Sequence, residues 1–364
     1  MKLYRKHIIR ELFAAILLVL FALTALYAFF DVIESLKDVG RGDFSTRHAF
    51  TYVGLRLPGR LYELMPIAVL IGALYALTNL ARHSELTVLR ASGMTTGQLL
   101  LQLFQTAGVF ALLALLLGEL LVPPAERMAQ DMRLSALHRV VAQEFGSGIW
   151  IKDGRAFVNI RSATPDAALE QVRIYRFDDQ NRLSFVMEAQ AGRFVDAGAT
   201  WQLDGVTRTV IDYDAQTGNP QARVEHATSM RWETALTPDI ITMLMVAPER
   251  MSLLSLVTYL EHLWSNQQKT ARYEIALWKK LFYPLSALVM VALALPFSTT
   301  HNRRSGVSLQ IFVGVMAGVI FHLLNGMFSS LGVIHGWLPL ASAAAVPALF
   351  LAVAAVCMWW VERR

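Results

Sequence analysis

Six stretches of this sequence run for about 20 residues with hardly a charged side chain. An α-helix of about 20 apolar residues crosses the ~30 Å hydrocarbon core of a bilayer. The six runs are Leu12–Phe30, Leu64–Ala81, Leu99–Gly118, Leu281–Phe297, Val307–Phe328 and Leu340–Val361. They predict six transmembrane helices, three on each side of a long polar insertion.

The composition favours a membrane protein over the other classes. Hydrophobic residues make up 55% of the 364 and charged residues 17%, values outside the norm for soluble domains. The net charge of +5 suggests cytoplasmic loops and lipid headgroups before nucleic acid. Cys357 is the single cysteine, so the sequence excludes an intrachain disulfide and a thiolate-ligated metal site. The nine histidines show no spacing typical of metal ligands.

Basic residues in the short loops predict the orientation. Cytoplasmic loops carry an excess of Lys and Arg, so we expect both termini in the cytoplasm and the insertion outside. The residues that set this orientation are Lys2, Arg5, Lys6, Arg10, Arg82, Arg90, Arg303, Arg304, Arg363 and Arg364. The first outer loop, Asp31–Arg60, breaks the rule because it also carries several cations. Positive charge on the outer side indicates a functional role.

The insertion reads as β-structure. Trp150–Lys152 and Arg155–Arg161 flank an Asp153-Gly154 turn, and the further predicted strands are Val172–Phe177, Leu183–Glu188, Thr200–Ile211 and Ala222–Trp232. An open sheet cannot lie in lipid, so this segment must fold in water, as a small sandwich. Ser252–Gln267 then has the pattern of an amphipathic helix that leads back to the bilayer.

Motifs for catalysis are absent from the sequence. It contains no G-x-x-x-x-G-K-[ST] phosphate loop, no H-E-x-x-H and no G-x-S-x-G. The six runs hold almost no ionisable residues of the kind that ion-coupled transporters use, and His322 and Asn325 are more typical of hydrogen bonding between helices. We therefore expect a transporter subunit and not an enzyme.

The loop between the second and third runs reads as a short helix. Ser84 is a plausible N-cap, Glu85 suits the first turn, and Gly93 is a plausible stop. Such a helix can lie on the membrane surface, or it can dock into another protein and transmit its motion. The pattern alone does not choose between these alternatives.

A resemblance does choose. Ser84–Gly93 (SELTVLRASG), Leu236–Ile240 (LTPDI) and the approach Arg272-Tyr273 to Trp278-Lys279-Lys280 resemble the YjgP/YjgQ family, the LptF/LptG permeases of the lipopolysaccharide exporter. The order of parts is also similar along nearly the whole chain. The resemblance implies a membrane α-helical bundle of six transmembrane helices (3 + 3) with an inserted all-β periplasmic jellyroll domain.

The resemblance also implies the domain boundaries. Residues 1–134 would hold transmembrane helices 1–3, with a cytoplasmic coupling helix at 82–95. Residues 135–235 would form the periplasmic β-jellyroll domain, 236–270 a periplasmic connector helix, and 271–364 transmembrane helices 4–6.

Partners and substrate follow from the same resemblance. The chain would lie in the inner membrane of a Gram-negative bacterium and extract lipopolysaccharide. It would pair with an LptF-like sister permease, an LptB-like ATPase dimer and an LptC-like single-helix periplasmic protein, and would bind no nucleic acid. ATP and Mg would belong to the ATPase, so this chain needs no cofactor or metal. Its contacts with the ATPase would come from Glu85, Leu86, Leu89 and Arg90.

Such a substrate carries phosphates, which favour Arg and Lys, above several acyl chains. The candidate phosphate contacts are Lys37, Arg41, Arg133 and Lys280. Lys37 and Arg133 fall at positions that are basic in related chains. Asp31 and Asp38 depart from that pattern, so the contacts are redistributed here, for example onto Arg41, or the cluster is weaker. Each single cation, Arg41 and Lys279 above all, can also be a surface residue that extends to water.

The acyl chains would meet apolar side chains on the first, second and fifth helices. The candidates are Phe30, Leu64, Met65, Phe312, Phe321 and Phe328. Two other functions stay open from the residues alone. One is a membrane-anchored scaffold whose β-domain binds a periplasmic protein. The other is a mechanotransmitting ABC subunit that moves no lipid through its own core.

Overall fold

In the computed structural model, long helices form a bundle and a β-sheet is inserted between its two halves. The structure describes residues 2–144, 148–163, 168–196, 200–213, 219–234, 236–238, 240–241, 247–300 and 307–363. Helices α1 (Lys2–Leu36), α2 (Thr46–Arg82), α3 (Glu85–Ala91), α4 (Thr96–Leu116) and α5 (Val122–Glu144) precede the sheet. Helices α6 (Leu253–Ser265), α7 (Ala271–Thr300), α8 (Val307–His335) and α9 (Pro339–Glu362) follow it.

Among the described residues, six helical spans are long and apolar enough to cross a membrane. Five of the predicted runs lie inside these spans, and the remaining run, Val307–Phe328, begins four residues before its span, Ile311–His335. The third span joins α4 to α5 through a π-helical segment, Leu117–Leu121. Single-turn π-helices often mark functional sites, because the extra residue redirects side chains and frees backbone carbonyls. Here the segment presents Gly118 and Glu119 to other elements.

Helix α2 forms the centre of the bundle, with 78% of its apolar window buried. Only 22% of the corresponding window is buried in α1 and 17% in α8. A Cβ at Gly72 of α2 would lie 2.6 Å from the Cα of Ile16, so α1 and α2 pack backbone to backbone. Apolar side chains of α1 and α8 therefore remain exposed, where lipid or another subunit can cover them.

The six strands form one antiparallel sheet in sequential order. They are β1 (Ile149–Asp153), β2 (Ala156–Ala163), β3 (Leu169–Phe177), β4 (Leu183–Asp196), β5 (Thr200–Tyr213) and β6 (Pro220–Glu233). Five of the six predicted strands lie within these ranges, and the sixth, Arg155–Arg161, begins one residue before β2; the Asp153-Gly154 turn joins β1 to β2. The predicted class, a six-helix membrane bundle with an inserted all-β domain, is confirmed.

A helix covers the inner face of this sheet. Val158, Ile174 and Trp201 are at most 1% exposed and belong to one apolar cluster with Leu256 and Tyr259 of α6. The sequence predicted a sandwich of strands. The amphipathic helix, predicted at Ser252–Gln267, supplies the apolar layer over the described strands instead.

Polar contacts fix α6 to the sheet. Asn266, just after α6, accepts a hydrogen bond from the backbone N–H of Gly154 in the β1–β2 turn at 2.7 Å. Gln268 donates to the carbonyl of Lys152 at 2.9 Å. The indole of Trp201 donates to the carbonyl of Leu236 at 2.7 Å. The sheet and the connector to α7 thus share one core and one set of hydrogen bonds.

Part of the basis for the predicted orientation lies outside the described residues. Arg303, Arg304 and Arg364 belong to the segments that the structure does not describe. The cytoplasmic placement of both termini therefore stays a prediction.

Candidate functional site

Helix α3 has the short form that the sequence predicts, with Gly93 as its stop. Gly93 adopts φ +91°, its N–H donates to the carbonyl of Arg90, and the N–H of Met94 donates to the carbonyl of Leu89. These two hydrogen bonds form a Schellman motif. Ser84 is the N-cap residue of α3, as predicted, and its carbonyl accepts from the N–H of Val88. Ser84 directly precedes α3 but has φ +61° and no capping side-chain bond, because the chain turns there from α2 into α3.

Glu85 begins α3 and contacts α1. Its Oε2 lies 3.1 Å from Nε2 of His7, and both side chains are partly exposed. The glutamate is therefore accessible to a partner, and it also joins α3 to the first turns of α1. Nothing in the sequence relates these two positions, because they lie 78 residues apart.

Leu86 and Leu89 point into this chain. They are 7% and 4% exposed and belong to the main apolar core of the bundle. Their side chains anchor α3 to its own bundle, so the predicted contact of these two residues with the ATPase stays a prediction that this arrangement does not support. Val88, 56% exposed, and Arg90 lie on the outer face of α3.

Cations and carboxylates meet where α1 ends. Arg60 of α2 donates two hydrogen bonds to Asp31, at 2.6 and 2.7 Å, and one to Glu63 at 2.9 Å. Asp38 accepts from Arg133 at 2.8 Å and from Arg41 at 3.2 Å. We refer to Asp31, Lys37, Asp38, Arg41, Arg60 and Arg133 as the α1-end cluster.

The α1-end cluster unites three of the four predicted phosphate contacts. Arg41 and Arg133 share Asp38, whereas Lys37 is exposed and forms no ion pair with any residue that the structure describes. Arg60, which is not among the predicted phosphate contacts, forms the most carboxylate hydrogen bonds of these cations: two to Asp31 and one to Glu63. Sequence gave no reason to prefer it over the other cations of the outer loop.

Lys280 lies apart from the α1-end cluster and is 9% exposed. Its ammonium pairs with Glu119 at 3.0 Å and donates to the carbonyls of Gly118, at 2.9 Å, and Met251. These contacts join α7 to the π-helical segment and the connector and leave Lys280 outside the α1-end cluster, so its role as a phosphate contact stays a prediction. The neighbouring Lys279 has a looser contact, with the carbonyl of Asn325 at 3.4 Å.

A cavity of about 510 Å³ opens beside Lys279, between α2, α7, α8 and the connector. Tyr62, Pro66, Ile67, Tyr283 and Phe321 line its apolar part, and Glu63, Glu249, Arg250, Lys279, His322 and Asn325 its polar part. The buried Oδ1 of Asn325 has no hydrogen-bond partner among the described residues. The helix-to-helix bond predicted for this side chain is therefore not formed through that atom.

An ion-pair network joins the connector to the bundle. Arg250, in a short 3₁₀ helix (Pro248–Arg250), lies 2.5 Å from Glu126 of α5 and 3.6 Å from Glu63 of α2. Glu126 is 3% exposed, and its second cation is Arg56 at 3.8 Å. Since Glu63 also binds Arg60, the network continues into the α1-end cluster.

The six predicted acyl-chain residues do not form one surface. Phe30 and Phe312 are more than half exposed, on α1 and α8. Leu64 and Met65 are buried in the bundle core and face other helices of this chain, so a lipid contact at these residues stays a prediction. Phe321 lines the cavity and packs edge-on against Phe350, with ring centroids 5.0 Å apart. Phe328 is half-buried beside Trp337.

Comparison with known proteins agrees with the architecture. The sequence profile of the family "Lipopolysaccharide export system permease LptF/LptG" matches residues 6–361. The chain is 30% identical over 359 residues to the lipopolysaccharide export system permease protein LptG of Haemophilus influenzae, covering 99% of this chain and 98% of that protein. It is 31% identical over 359 residues, with the same coverage of both chains, to the protein of that name from Escherichia coli.

Proposed function

The chain belongs to the LptF/LptG family of lipopolysaccharide export permeases, and on that premise we propose that it extracts lipopolysaccharide from the inner membrane by using ATP that a separate subunit hydrolyses. The observation that carries the proposal is the α1-end cluster, which gathers four cations where an apolar, largely exposed helix ends. An amphiphile with phosphates above acyl chains matches that arrangement in charge and polarity.

The lipid path would run along α1 and α8. Both helices flank α2 and expose large apolar side chains, including Phe30 and Phe312. A sister permease placed against these helices would enclose a lumen, with the α1-end cluster at its periplasmic rim. The cavity beside Phe321 would open into this lumen and take part of an acyl chain.

Coupling to the ATPase would use the outer face of α3. Glu85 is accessible, Val88 is exposed, and Arg90 lies beside them, whereas Leu86 and Leu89 fix the helix to the bundle. A rigid attachment suits a helix that transmits motion, because a push on α3 then moves α2 and α4. The sheet would receive lipid on the periplasmic side and pass it to a β-jellyroll bridge that includes an LptC-like protein.

Co-purification tests this proposal. The chain, co-expressed with its genomic neighbours and purified in mild detergent, should bring a sister permease, an ABC ATPase and bound lipopolysaccharide, each identified by mass spectrometry. Recovery with a periplasmic protein but without ATPase or lipid would instead support a membrane-anchored scaffold. Recovery with the ATPase but without lipid would support a mechanotransmitting subunit.

A further inference from the structure

Two carboxylates in the α1-end cluster bind guanidinium groups that are also able to bind a phosphate. Asp31 takes the Nε and Nη2 donors of Arg60. Asp38 takes one donor from Arg133 and one from Arg41. Asp31 is 6% exposed, so its pair with Arg60 is shielded from water.

Carboxylate and phosphate bind guanidinium in the same way, through parallel N–H···O bonds. An anion that enters this cluster therefore competes with Asp31 for Arg60, and with Asp38 for Arg133 and Arg41. Lys37 is exposed and forms no ion pair with the described part of the chain, so it can make the first contact.

We propose that Asp38 and Asp31 are specificity-determining residues: each occupies an arginine in place of the substrate phosphate, and together they set the headgroup charge that a lipid needs to enter. The inference rests on the proposed function. A phosphate monoester carries a charge of about −1.5 to −2 at neutral pH and displaces a carboxylate of charge −1. A phosphodiester headgroup carries only one negative charge and has no such advantage. The carboxylates therefore favour lipid A over the phosphodiester lipids that surround it in the membrane.

The exchange also affects helix packing. Asp31 lies on α1 and Arg60 on α2, so this pair fixes the end of α1 to the centre of the bundle. A phosphate that takes Arg60 removes this contact from the end of α1, a helix whose apolar window is only 22% buried. Entry of the correct headgroup thereby loosens the helix that borders the lipid path.

The test uses the purified complex of the full chain with its co-expressed partners and measures the dissociation constant of bisphosphoryl lipid A. Asp38→Asn should tighten this binding about two- to fivefold, the equivalent of one partly exposed ion pair that no longer competes. Binding of lipid A stripped of phosphate should not change. Asp43→Asn is the matched control, because Asp43 is exposed in the same loop and forms no ion pair among the described residues. It should leave both affinities unchanged.

A competition experiment tests specificity directly. Phosphatidylglycerol, a phosphodiester lipid, should displace fluorescent lipid A poorly from the wild-type complex and more effectively from the Asp38→Asn complex. Asp31→Asn, compared with Glu34→Gln three residues along α1, repeats the test at the second carboxylate. Melting curves of the complexes identify any variant whose fold has changed.

The outcomes separate the two proposals. If the wild-type complex binds no lipid A, the proposed function itself fails. If it binds lipid A but Asp38→Asn binds no tighter than Asp43→Asn, or binds more weakly, the specificity role of Asp38 fails and the proposed function remains. If Asp38→Asn and Asp43→Asn tighten lipid A binding equally, the effect comes from the net charge of the chain and not from Asp38, and the inference is overturned.

Discussion

Replacing Lys280 by methionine should destabilise the bundle, while the same change at Lys279 should have little effect. Lys280 is 9% exposed, pairs with Glu119 at 3.0 Å and donates to the carbonyls of Gly118 and Met251. Methionine fills the volume but donates nothing, so a carboxylate and two carbonyls lose a charged partner. Removing one side of a buried pair costs ~3–5 kcal/mol. Glu119 is 23% exposed and still accepts from the N–H of Leu253 at 3.0 Å, so it is not left without a partner. We therefore expect Lys280→Met to lower the free energy of unfolding by about 3 kcal/mol, the lower end of that range.

Lys279 provides the control on the adjacent residue. Its ammonium has a 3.4 Å contact with the carbonyl of Asn325, and Lys279→Met should cost less than ~1 kcal/mol. The assay is unfolding of the purified protein by SDS titration in mixed micelles, followed by tryptophan fluorescence. Equal stability of the two variants would refute the structural role of Lys280. So would normal stability of Lys280→Met combined with weakened lipid A binding, since that result would support Lys280 as a phosphate contact.

Three further predictions follow from packing and protonation. Gly72→Ala should lower the free energy of unfolding by roughly 1–3 kcal/mol, because the added Cβ would meet the backbone of α1. The matched control is Gly54→Ala on the same helix, whose Cβ meets nothing within 4 Å, and it should leave the stability unchanged in the same SDS titration. Leu89→Ala should cost about 2–4 kcal/mol of unfolding free energy, while the exposed Val88→Ala should leave stability unchanged and weaken ATPase association in pull-downs. Burial lowers the pKa of His262 below its ordinary 6.5, so folding keeps the ring neutral. Stability should therefore be full above pH 6.5 and fall below it, and melting curves of His262→Gln across pH should lack this dependence.

The membrane spans and the strands were predictable because their signals are local. An uninterrupted apolar run such as Leu12–Phe30 predicts a transmembrane helix without information about the rest of the chain. The Asp153-Gly154 turn and the alternation around it report a hairpin in the same way. Gly93 could be recognised as a stop because a left-handed residue after a helix favours glycine.

The site was less predictable because its contacts join distant parts of the chain. Lys279 and Lys280 are neighbours in sequence and both line the cavity, but Lys280 pairs with Glu119, 161 positions earlier, whereas Lys279 contacts the carbonyl of Asn325. Leu86 and Leu89 share one face as expected, yet only the packing of α3 decides that this face points inward. Asp31 is an acidic residue where the resemblance predicts basic ones, and only the structure shows that its carboxylate pairs with Arg60, 29 positions later.

The most direct test of the account is lipopolysaccharide release from proteoliposomes that contain the purified complex, measured by transfer to a soluble acceptor with and without ATP. Release should depend on ATP with the wild-type chain. With Glu85→Ala it should be lost or strongly reduced while ATP hydrolysis continues, because α3 no longer transmits the motion. ATP hydrolysis without release from the wild-type complex, or full release with Glu85→Ala, would contradict the account.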